Sequence, residues 1–377
     1  MKRYDFIIVG GGLAGLSLAC RLTHSPLRES SILVIDRSLH KHNDRTWAFW
    51  AKSHTPFDGI VDHSWHQLMV ATNGATQIHR LSPYLYKVIR GRDFYRFAYE
   101  TLSCSPHVEF MQGEVGRIED GVEEARVYME GPQGQREFDG RWVFDSRFSQ
   151  ADFHPDPRRY SYLNMHFRGW EIETSDSCAE ASFDLQTPTF LDFRTPQTVM
   201  LAGGPKHNMM SFFYVLPYSR QRALVEYVAC TVGANQVLPQ SQECALQSYI
   251  RDILRIKDYT LVAQEWGINP MTDYRFPRRM GSHVMSIGVP GGMLKPTTGF
   301  AFTRIQRDSA AIVRSLLDFG QPFAVPSSAW GYRLYESLML RTMARRGGQV
   351  GTLLATLFKL GSTPRILRFL DEQGMPI

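Results

Sequence analysis

A complete dinucleotide-binding fingerprint lies near the start of the chain, and it constrains the fold more than any other stretch. The apolar residues 6–9 lead into Gly10, and Gly10, Gly12 and Gly15 have the G-x-G-x-x-G spacing. A helix pattern follows, and a second apolar run, residues 32–35, ends at Asp36. This strand–turn–helix–strand order, with an acid about 20 residues after the last glycine, predicts a Rossmann-like unit that binds an adenine dinucleotide.

Each glycine of this fingerprint has a physical role. Gly10 makes the tight turn, Gly12 lets the backbone approach a pyrophosphate, and Gly15 lets the helix pack closely on the strand. The helix N-terminus offers free N–H groups to the phosphates, and Asp36 can accept hydrogen bonds from the ribose hydroxyls. The alternative is a glycine-rich turn that binds nothing, but that interpretation leaves the acid unexplained.

The predicted cofactor is FAD rather than NAD. The motif begins a few residues from Met1, as is usual in FAD proteins, whereas two-domain NAD dehydrogenases often carry it later. A second glycine-rich segment, residues 288–300, lies between a predicted strand at 284–288 and a predicted helix at 301–317, and its N–H groups would approach the cofactor from the far side. A simple loop is the alternative there. The predicted cofactor-binding residues are Gly10, Gly12, Leu13, Ala14, Gly15, Asp36, Arg37, Trp47, Arg92, Val115, Asp145, Gly288, Gly292, Lys295, Thr298 and Gly299.

Composition excludes several classes of protein. Hydrophobic residues make up 43% of the chain and charged residues 21%, which indicates a folded protein with a sizeable core. The net charge of +5 is too small to indicate nucleic-acid binding, and no nucleic-acid-binding motif is present. The five cysteines are scattered and lack C-x-x-C spacing, which predicts a reducing compartment, no disulfide scaffold and no metal site.

The chain is predicted to fold as an α/β protein in three parts. Residues 1–60, 85–150 and 268–330 are assigned to a discontinuous FAD-binding domain. Residues 61–84 and 151–267 are rich in strand patterns, including a short one at 181–183, and they predict an antiparallel substrate-binding sheet with one helix at 241–256. A helix is predicted to open at residues 90–94, with Asp93 as its N-cap.

The C-terminal segment, 331–377, is predicted to be helical, basic and amphipathic. Such a segment is typical of a helix that lies on a membrane surface, and the alternative is that its helices pack on the sheet. No stretch reaches the roughly 20 apolar residues of a spanning helix, and the N-terminus does not read as a signal peptide. The expected location is therefore the cytoplasm, with peripheral attachment to the inner face of the cell membrane.

Glu226 is the candidate catalytic residue. It lies in a predicted strand, where Leu224 and Val228 share its face while Val225 and Tyr227 point the other way. Burying an unpaired carboxylate is costly, so a carboxyl in this position tends to stay protonated and can act as a proton donor.

The alternative for Glu226 is a structural ion pair with Arg220, Arg222 or another basic residue in the sheet. Residues 45–50 form an aromatic segment just after the ribose acid, which would lie beside the cofactor or form a buried cluster. Aromatic side chains that could face a cation near Glu226 are Trp47, Phe49, Phe212, Phe213, Tyr214 and Tyr227.

Four segments resemble those of the bacterial lycopene cyclases, flavoproteins related to geranylgeranyl reductases and aromatic hydroxylases. They are residues 10–15 (GGGLAG), 45–49 (RTWAF), 213–217 with 223–227 (FYVLP and ALVEY) and 291–300 (GGMLKPTTGF). The resemblance extends over nearly the whole chain, and the family's essential acid falls on Glu226. Two departures are Tyr227 and Val228, where many members have a second acid and a threonine, and Val289, where hydroxylases have aspartate.

The resemblance implies a Rossmann-like FAD-binding domain of the glutathione reductase type, second variant, with an antiparallel-sheet substrate domain and C-terminal helices. It further implies lycopene β-cyclase activity, in which the ψ-ends of lycopene become β-ionone rings. FAD would act in its reduced form, with no net redox change and with NADPH as the expected source of electrons. Open alternatives are a prenyl reductase or monooxygenase on the same scaffold, a cyclase for another polyprenyl compound, and a carotenoid- or flavin-binding protein without turnover.

Overall fold

The computed structural model describes residues 2–52, 54–132, 134–175, 183–233 and 235–373. The strands in these ranges are β1 Lys2–Val9, β2 Ile32–Asp36, β3 Thr46–Ala51, β4 His63–Trp65, β5 Gln67–Thr72, β6 Ala75–Arg80, β7 Leu85–Arg90, β8 Val108–Gln112, β9 Glu114–Asp120, β10 Ala125–Gly131, β11 Gly134–Asp145, β12 Tyr162–Glu173, β13 Thr189–Asp192, β14 Thr198–Leu201, β15 Gly204–His207, β16 Ser211–Pro217, β17 Arg222–Val232, β18 Thr260–Thr272 and β19 Val284–Ser286. The helices are α1 Leu13–Thr23, α2 Gly91–Ser103, α3 Pro239–Asp252, α4 Phe302–Phe319, α5 Trp330–Leu360 and α6 Thr363–Leu370.

The first sheet contains the fingerprint and has the strand order β8-β2-β1-β11-β10-β9, with β19 also paired to β11. Strands β8, β2, β1, β11 and β19 are parallel, whereas β9 and β10 pair antiparallel. Both faces of the central strands are covered: Ile8 and Val34 pack on the side of α1 and α4, and Ile7 and Leu33 pack on the opposite side. Continuous apolar runs form parallel strands because such strands are buried on both faces.

The second sheet has the order β18-β12-β17-β16-β13-β5-β6. Its strands are antiparallel to their neighbours except that β13 and β5 are parallel, so the sheet is mixed rather than purely antiparallel as expected. The parallel pair arises because β5 comes from the early part of the chain and joins the sheet from outside the meander. Of the strand predicted at 181–183, residues 181 and 182 lie outside the described residues.

A third, small sheet has the order β3-β7-β4. Strand β3 contains Thr46 and Trp47, and Thr46 donates a hydrogen bond to Glu265 of β18, so this sheet contacts the second sheet directly. The predicted helix after β7 is α2, but its N-cap residue is Arg90 rather than Asp93. Asp93 lies in the first turn, where a carboxylate still interacts favourably with the helix dipole, and it pairs with Arg96.

The C-terminal segment is helical, as predicted for its described residues, and 374–377 lie outside them. Helix α5 is interrupted at Arg346, which has non-helical backbone angles. Lys295, on the loop before α4, forms a buried ion pair with Glu336 of α5 and a partly buried one with Glu372, and these contacts attach the C-terminal segment to the loop. Among the described helices, none is both long and apolar enough to cross a membrane.

Four of the five cysteines lie in the described part of the chain. Cys20, Cys104, Cys230 and Cys244 are free thiols, and Cys178 lies outside the described residues. No cluster of three or more histidine, cysteine or acidic side chains suited to a metal ion occurs among the residues that the structure describes.

Candidate active site

A cavity of about 1090 Å³ is lined by residues from both large sheets. On one side lie Gly10, Asp36 and Asp145, at the carboxyl ends of β1, β2 and β11. On the other side lie Leu224 and Glu226 of β17, together with residues of β12, β16 and β18. Ligands of open α/β sheets bind outside the carboxyl ends of the strands, so this cavity is where the fold places a ligand.

The fingerprint turn has the shape that a phosphate cradle requires. Gly10 has a φ of +100°, and a Cβ on Gly15 would lie 2.0 Å from the carbonyl oxygen of Gly10, so both positions need glycine. Gly12 is the N-cap residue of α1 and makes no side-chain cap, which leaves the first N–H groups of the helix free. These residues therefore fit the pyrophosphate of an adenine dinucleotide.

Asp36 ends β2 at the edge of the same cavity. Its carboxylate accepts a hydrogen bond from the backbone N–H of Gly11 and another from Lys41 at 2.9 Å. The side chain is 15% exposed and lines the cavity. The backbone N–H of Ser38 donates to the carboxylate as well, at 2.9 Å. A carboxylate that is fixed by these three donors is oriented to accept hydrogen bonds from the hydroxyls of a ribose.

Most of the predicted cofactor-binding residues meet at this cavity. The second glycine-rich segment approaches α1 closely, since a Cβ on Gly288 would lie 3.0 Å from the Cβ of Ala14. The predicted residues that line the cavity are Gly10, Gly12, Leu13, Ala14, Asp36, Arg37, Trp47, Val115, Asp145, Gly288, Thr298 and Gly299.

Four predicted residues do not line the cavity. Gly15 lies beneath the turn, against the backbone of Gly10. Arg92 is exposed on α2, and the carbonyl of Gly292 accepts a hydrogen bond from Arg304. Lys295 was expected to face an anion, but its ammonium group is buried and paired with carboxylates of the C-terminal segment. Lys295 therefore anchors the C-terminal segment to this loop and does not contact the cofactor cavity, contrary to the prediction.

Glu226 faces the cavity as the strand alternation predicted. Leu224, Glu226 and Val228 line the cavity, whereas Val225 and Tyr227 belong to the core on the opposite face of the sheet. The expected alternative was a salt bridge to a neighbouring arginine. Arg222 instead forms a salt bridge with Glu171, and Arg220 is exposed. Neither arginine forms a salt bridge with Glu226.

A second carboxyl, Glu265 of β18, lies beside Glu226 and was not predicted. The two carboxyl groups hydrogen-bond to each other, and the hydroxyl of Thr46 donates to Glu265 at 2.8 Å. Glu265 is 5% exposed. Glu226 is half-buried, because one side of its carboxyl group faces the cavity while protein encloses the other sides. Strand alternation in 260–272 was the available signal, but Gly267 and Pro270 weakened it.

Burial and mutual contact raise the pKa of both carboxyl groups. Desolvation is the largest cause for Glu226, and the charge and hydrogen bond of Glu265 add to it, which lifts the pKa well above its usual value. Desolvation also raises the pKa of Glu265 to about 7, while hydrogen bonds from Thr46 and Glu226 act in the opposite direction. Glu226 is therefore the protonated partner near neutral pH.

Aromatic side chains line the cavity around this pair, although not all of the expected ones do. Trp47 and Tyr214 face the cavity as expected. Phe213 and Tyr227 lie on the other face of the sheet, where Phe213 stacks on Tyr249, because they alternate with Tyr214 and Glu226. Phe49 and Phe212 are packed in the cores instead. The cavity is completed by aromatic residues that were not predicted: Tyr86, Phe167, Phe300 and Phe302.

The free energy of unfolding is expected to depend on pH through Glu265. The pKa of Glu265 is about 7 in the folded protein and 4.5 in the unfolded chain. The protonated side chain therefore contributes fully to stability below about pH 4.5, and this contribution is lost as pH rises through about 7. Glu265→Gln removes this titration. As pH rises from about 5 to about 8, the free energy of unfolding of the variant should increase relative to that of wild type by roughly 1–3 kcal/mol. Denaturant titrations at several pH values measure it, and a pH-independent difference would contradict it.

Several solved structures, one of them described as a flavoprotein, share this architecture. The p-nitrophenol 4-monooxygenase of Pseudomonas putida DLL-E4 aligns over 98% of both chains with a TM-score of 0.64 and 12% identity. A geranylgeranyl bacteriochlorophyll reductase-like protein of Thermoplasma acidophilum aligns over 100% of this chain and 93% of its own, with a TM-score of 0.61 and 10% identity. A flavoprotein/dehydrogenase of Cytophaga hutchinsonii aligns over 98% of this chain and 93% of its own, with a TM-score of 0.61 and 14% identity. The protein therefore has the fold of these monooxygenases and reductases.

The chain belongs to the lycopene cyclase family, whose model, described as "Lycopene cyclase protein", matches residues 5–373. Among curated relatives, a chloroplastic neoxanthin synthase of Solanum lycopersicum is 22% identical over 351 residues, which is 89% of this chain and 65% of the relative. A chloroplastic lycopene beta cyclase of an Oncidium hybrid cultivar is 23% identical over 339 residues, 86% of this chain and 67% of the relative. The chain thus spans about two thirds of the length of these relatives.

Proposed function

We propose that this protein is a lycopene β-cyclase that converts the linear ψ-ends of lycopene into β-ionone rings, forming γ- or β-carotene. FAD is the proposed cofactor, in its reduced form and with NADPH as its source of electrons, and the reaction has no net redox change. The observation that carries the proposal is that the carboxyl group of Glu226, whose pKa is raised by burial, faces an apolar and aromatic cavity that is continuous with a dinucleotide cradle. The family supports a carotenoid as the substrate.

In this proposal Glu226 gives its proton to the terminal double bond of the polyene. A tertiary carbocation forms, the neighbouring double bond attacks it, and the ring is completed when a proton leaves the adjacent carbon. Water would quench the cation, so the cavity walls that exclude water are part of the mechanism. Walls of this kind include Leu224, Val228 and Ile268.

The aromatic side chains that line the cavity would stabilise the carbocation. Each aromatic face can stabilise a nearby cation by about 0.5–2 kcal/mol. Tyr214 lies directly across from Glu226 in the register of β16 and β17, and Tyr86 also lines the cavity. A reduced flavin, when bound, would supply negative charge near the cation. The residues proposed to hold that flavin are the cavity-lining members of the fingerprint and of the second glycine-rich segment.

The second candidate function is a prenyl reductase or monooxygenase on the same scaffold, which the fold of the solved relatives favours. The mass of the product separates these reactions. Cyclisation leaves the mass of lycopene unchanged, saturation adds two hydrogen atoms per double bond, and hydroxylation adds oxygen. The test is to incubate flavin-loaded protein, reduced under anaerobic conditions, with lycopene in phospholipid vesicles. Isomeric ring-containing products support the proposal, and a changed mass or unaltered lycopene contradicts it.

A membrane surface is the proposed source of the substrate, with the protein attached peripherally to the inner face of the cell membrane. The only acid in the sequence of α5 is Glu336, which is buried, whereas Arg333, Arg341, Arg345 and Arg346 are exposed. A basic helix with exposed apolar side chains suits an anionic lipid surface. The large apolar side chains exposed on α5 are Trp330, Leu334, Tyr335, Leu338, Leu353, Leu357 and Leu360.

The combined variant Leu353→Ser, Leu357→Ser and Leu360→Ser is expected to bind vesicles at least about tenfold more weakly, because each buried leucine contributes about 1.5–3 kcal/mol. These three side chains share one face of α5 after its break, and they are 48%, 45% and 81% exposed, so their replacement should not affect folding. Co-sedimentation with phosphatidylglycerol–phosphatidylcholine vesicles measures binding. Ile78→Ser, at a 60% exposed position on β6, is the matched control. Equal binding of both variants would contradict the prediction.

A further inference from the structure

Glu226 and Glu265 meet because of a glycine on the strand between them. Strand β12 lies between β17 and β18, and Gly169 is paired in register with Glu226 on one side and with Glu265 on the other. The three residues therefore form a row across three adjacent strands, with their side-chain positions on the same face of the sheet. Neighbouring strands are about 4.8 Å apart, so two carboxyl groups at the ends of such a row can meet only across the middle position.

The middle position must have no side chain for this contact to exist. A Cβ on Gly169 would lie 3.0 Å from the Cγ of Glu265 and 3.4 Å from the Oε2 of Glu226. It would also lie 2.9 Å from the Cδ1 of Leu224. A side chain on residue 169 would thus occupy the space in which the two carboxyl groups reach each other.

We infer that Glu226 and Glu265 form a carboxyl pair that shares one proton, and that Glu265 is a positioning residue that keeps this proton on Glu226. Glu265 does so as the ionised acceptor, held in place by the hydroxyl of Thr46. The inference deepens the proposed function and rests on it for its catalytic consequence. The sharing of the proton is a property of the pair itself and can be tested without substrate.

The proton balance of the pair closes over one cycle. Glu226 loses its proton to the polyene, which breaks the O–H bond and forms a C–H bond, and both carboxyl groups are then negatively charged. Two adjacent buried carboxylates repel each other, so the pair favours the return of one proton. The carbon next to the cation loses its proton as the ring double bond forms, and the carboxylate of Glu226 accepts it. No oxidant or reductant is consumed.

Other titratable and charged groups also surround the pair. Tyr86 of β7 and Tyr214 of β16 face Glu226, and burial raises the pKa of both phenols, so they stay neutral. Further along the same face of the second sheet is a buried ion network of Glu171, Arg90, Asp62 and Arg222. The charged or titratable groups that act on Glu265 itself are Arg45, Asp44 and Tyr218. None of these groups hydrogen-bonds to Glu226, so Glu265 is the charged neighbour that adds to burial in keeping the proton on Glu226.

The test compares Glu265→Gln with wild type in two measurements on the full chain loaded with flavin. Infrared difference spectra follow the carbonyl stretch of a protonated carboxylic acid against pH, and the band is assigned by its loss in Glu226→Gln. The pH profile of lycopene conversion in vesicles is measured in parallel. Glu173→Gln, at an exposed position at the end of β12, is the matched control.

In Glu265→Gln the Glu226 band should disappear at a pH at least about one unit lower than in wild type, because the negative neighbour is gone. The alkaline limb of the pH profile should shift by the same amount, with near-normal conversion at acidic pH. Loss of structure alone would lower conversion equally at all pH values. Gly169→Ala, which keeps both acids but separates them, should show the same shift. An unchanged band position in both variants overturns the inference.

The two proposals fail in different ways. If the infrared band shifts as expected but lycopene is not converted, the carboxyl pair stands and the proposed function is wrong. If lycopene is cyclised but the band and the alkaline limb are unmoved in Glu265→Gln, the proposed function stands and the shared proton is wrong.

Discussion

Glu226→Gln is expected to reduce conversion of lycopene by about 10²–10⁴-fold, the range typical for removal of a general acid. The amide has the same shape as the carboxyl group but cannot deliver a proton to an alkene. The carboxyl faces the cavity, and Glu265 accepts its hydrogen bond, so the amide can keep the hydrogen bond through its N–H. The fold and the flavin content should therefore remain those of wild type.

The measurement is initial conversion of lycopene under anaerobic reducing conditions, with flavin absorbance recorded on the same sample. Glu173→Gln makes the same chemical change at an exposed position on β12 and should leave conversion unaltered. A Glu226→Gln protein that is folded, loaded with flavin and fully active would remove Glu226 from the mechanism.

Gly15→Ala is expected to weaken the binding of FAD by roughly 100-fold or more, which corresponds to about 2.7 kcal/mol. The new Cβ would lie 2.0 Å from the carbonyl oxygen of Gly10, and that oxygen belongs to the backbone of the turn. Neither group can move as a flexible side chain would, so the turn or α1 must shift. The N–H groups at the start of α1 would then no longer converge on one phosphate position.

The measurement is titration of the flavin-free variant with FAD, followed by fluorescence, together with the flavin content after purification. Gly74→Ala is the control, since a Cβ there has no neighbour within 4 Å and the glycine lies in the turn between β5 and β6. Wild-type affinity in Gly15→Ala would show that the fingerprint does not form the phosphate cradle.

The fingerprint was predictable because every part of it is local in sequence. Glycine spacing, one strand, one helix and a terminal acid determine a single geometry, and the structure has β1, α1, β2 and Asp36 in that arrangement. The orientation of Glu226 was predictable for a similar reason, since alternation along β17 decides which side chains share a face.

The rest of the site depends on contacts between distant segments, which alternation cannot show. Glu265 is 39 residues from Glu226 in the sequence, and the two meet only because β12 pairs with both β17 and β18 across Gly169. Lys295 illustrates the converse error. Its position in a glycine-rich loop suggested an anion, whereas the carboxylates that neutralise it come from α5 and Glu372. Pairing across the fold, not local composition, determines both roles.

The central claim is that the protein adds an exchangeable proton from a buried carboxyl to the polyene and transfers no electrons to it. The most direct test is the reaction of lycopene in deuterium oxide with an excess of flavin-loaded protein, equilibrated in deuterium oxide and reduced under anaerobic conditions beforehand. The excess makes each Glu226 act about once, before it can receive a proton from the substrate, and the product is analysed by mass spectrometry. The account predicts a cyclised product that carries deuterium on the ring carbon that accepted the proton, with no further hydrogen and no oxygen added. A ring-containing product without deuterium, or a product with added hydrogen pairs or oxygen, would contradict it.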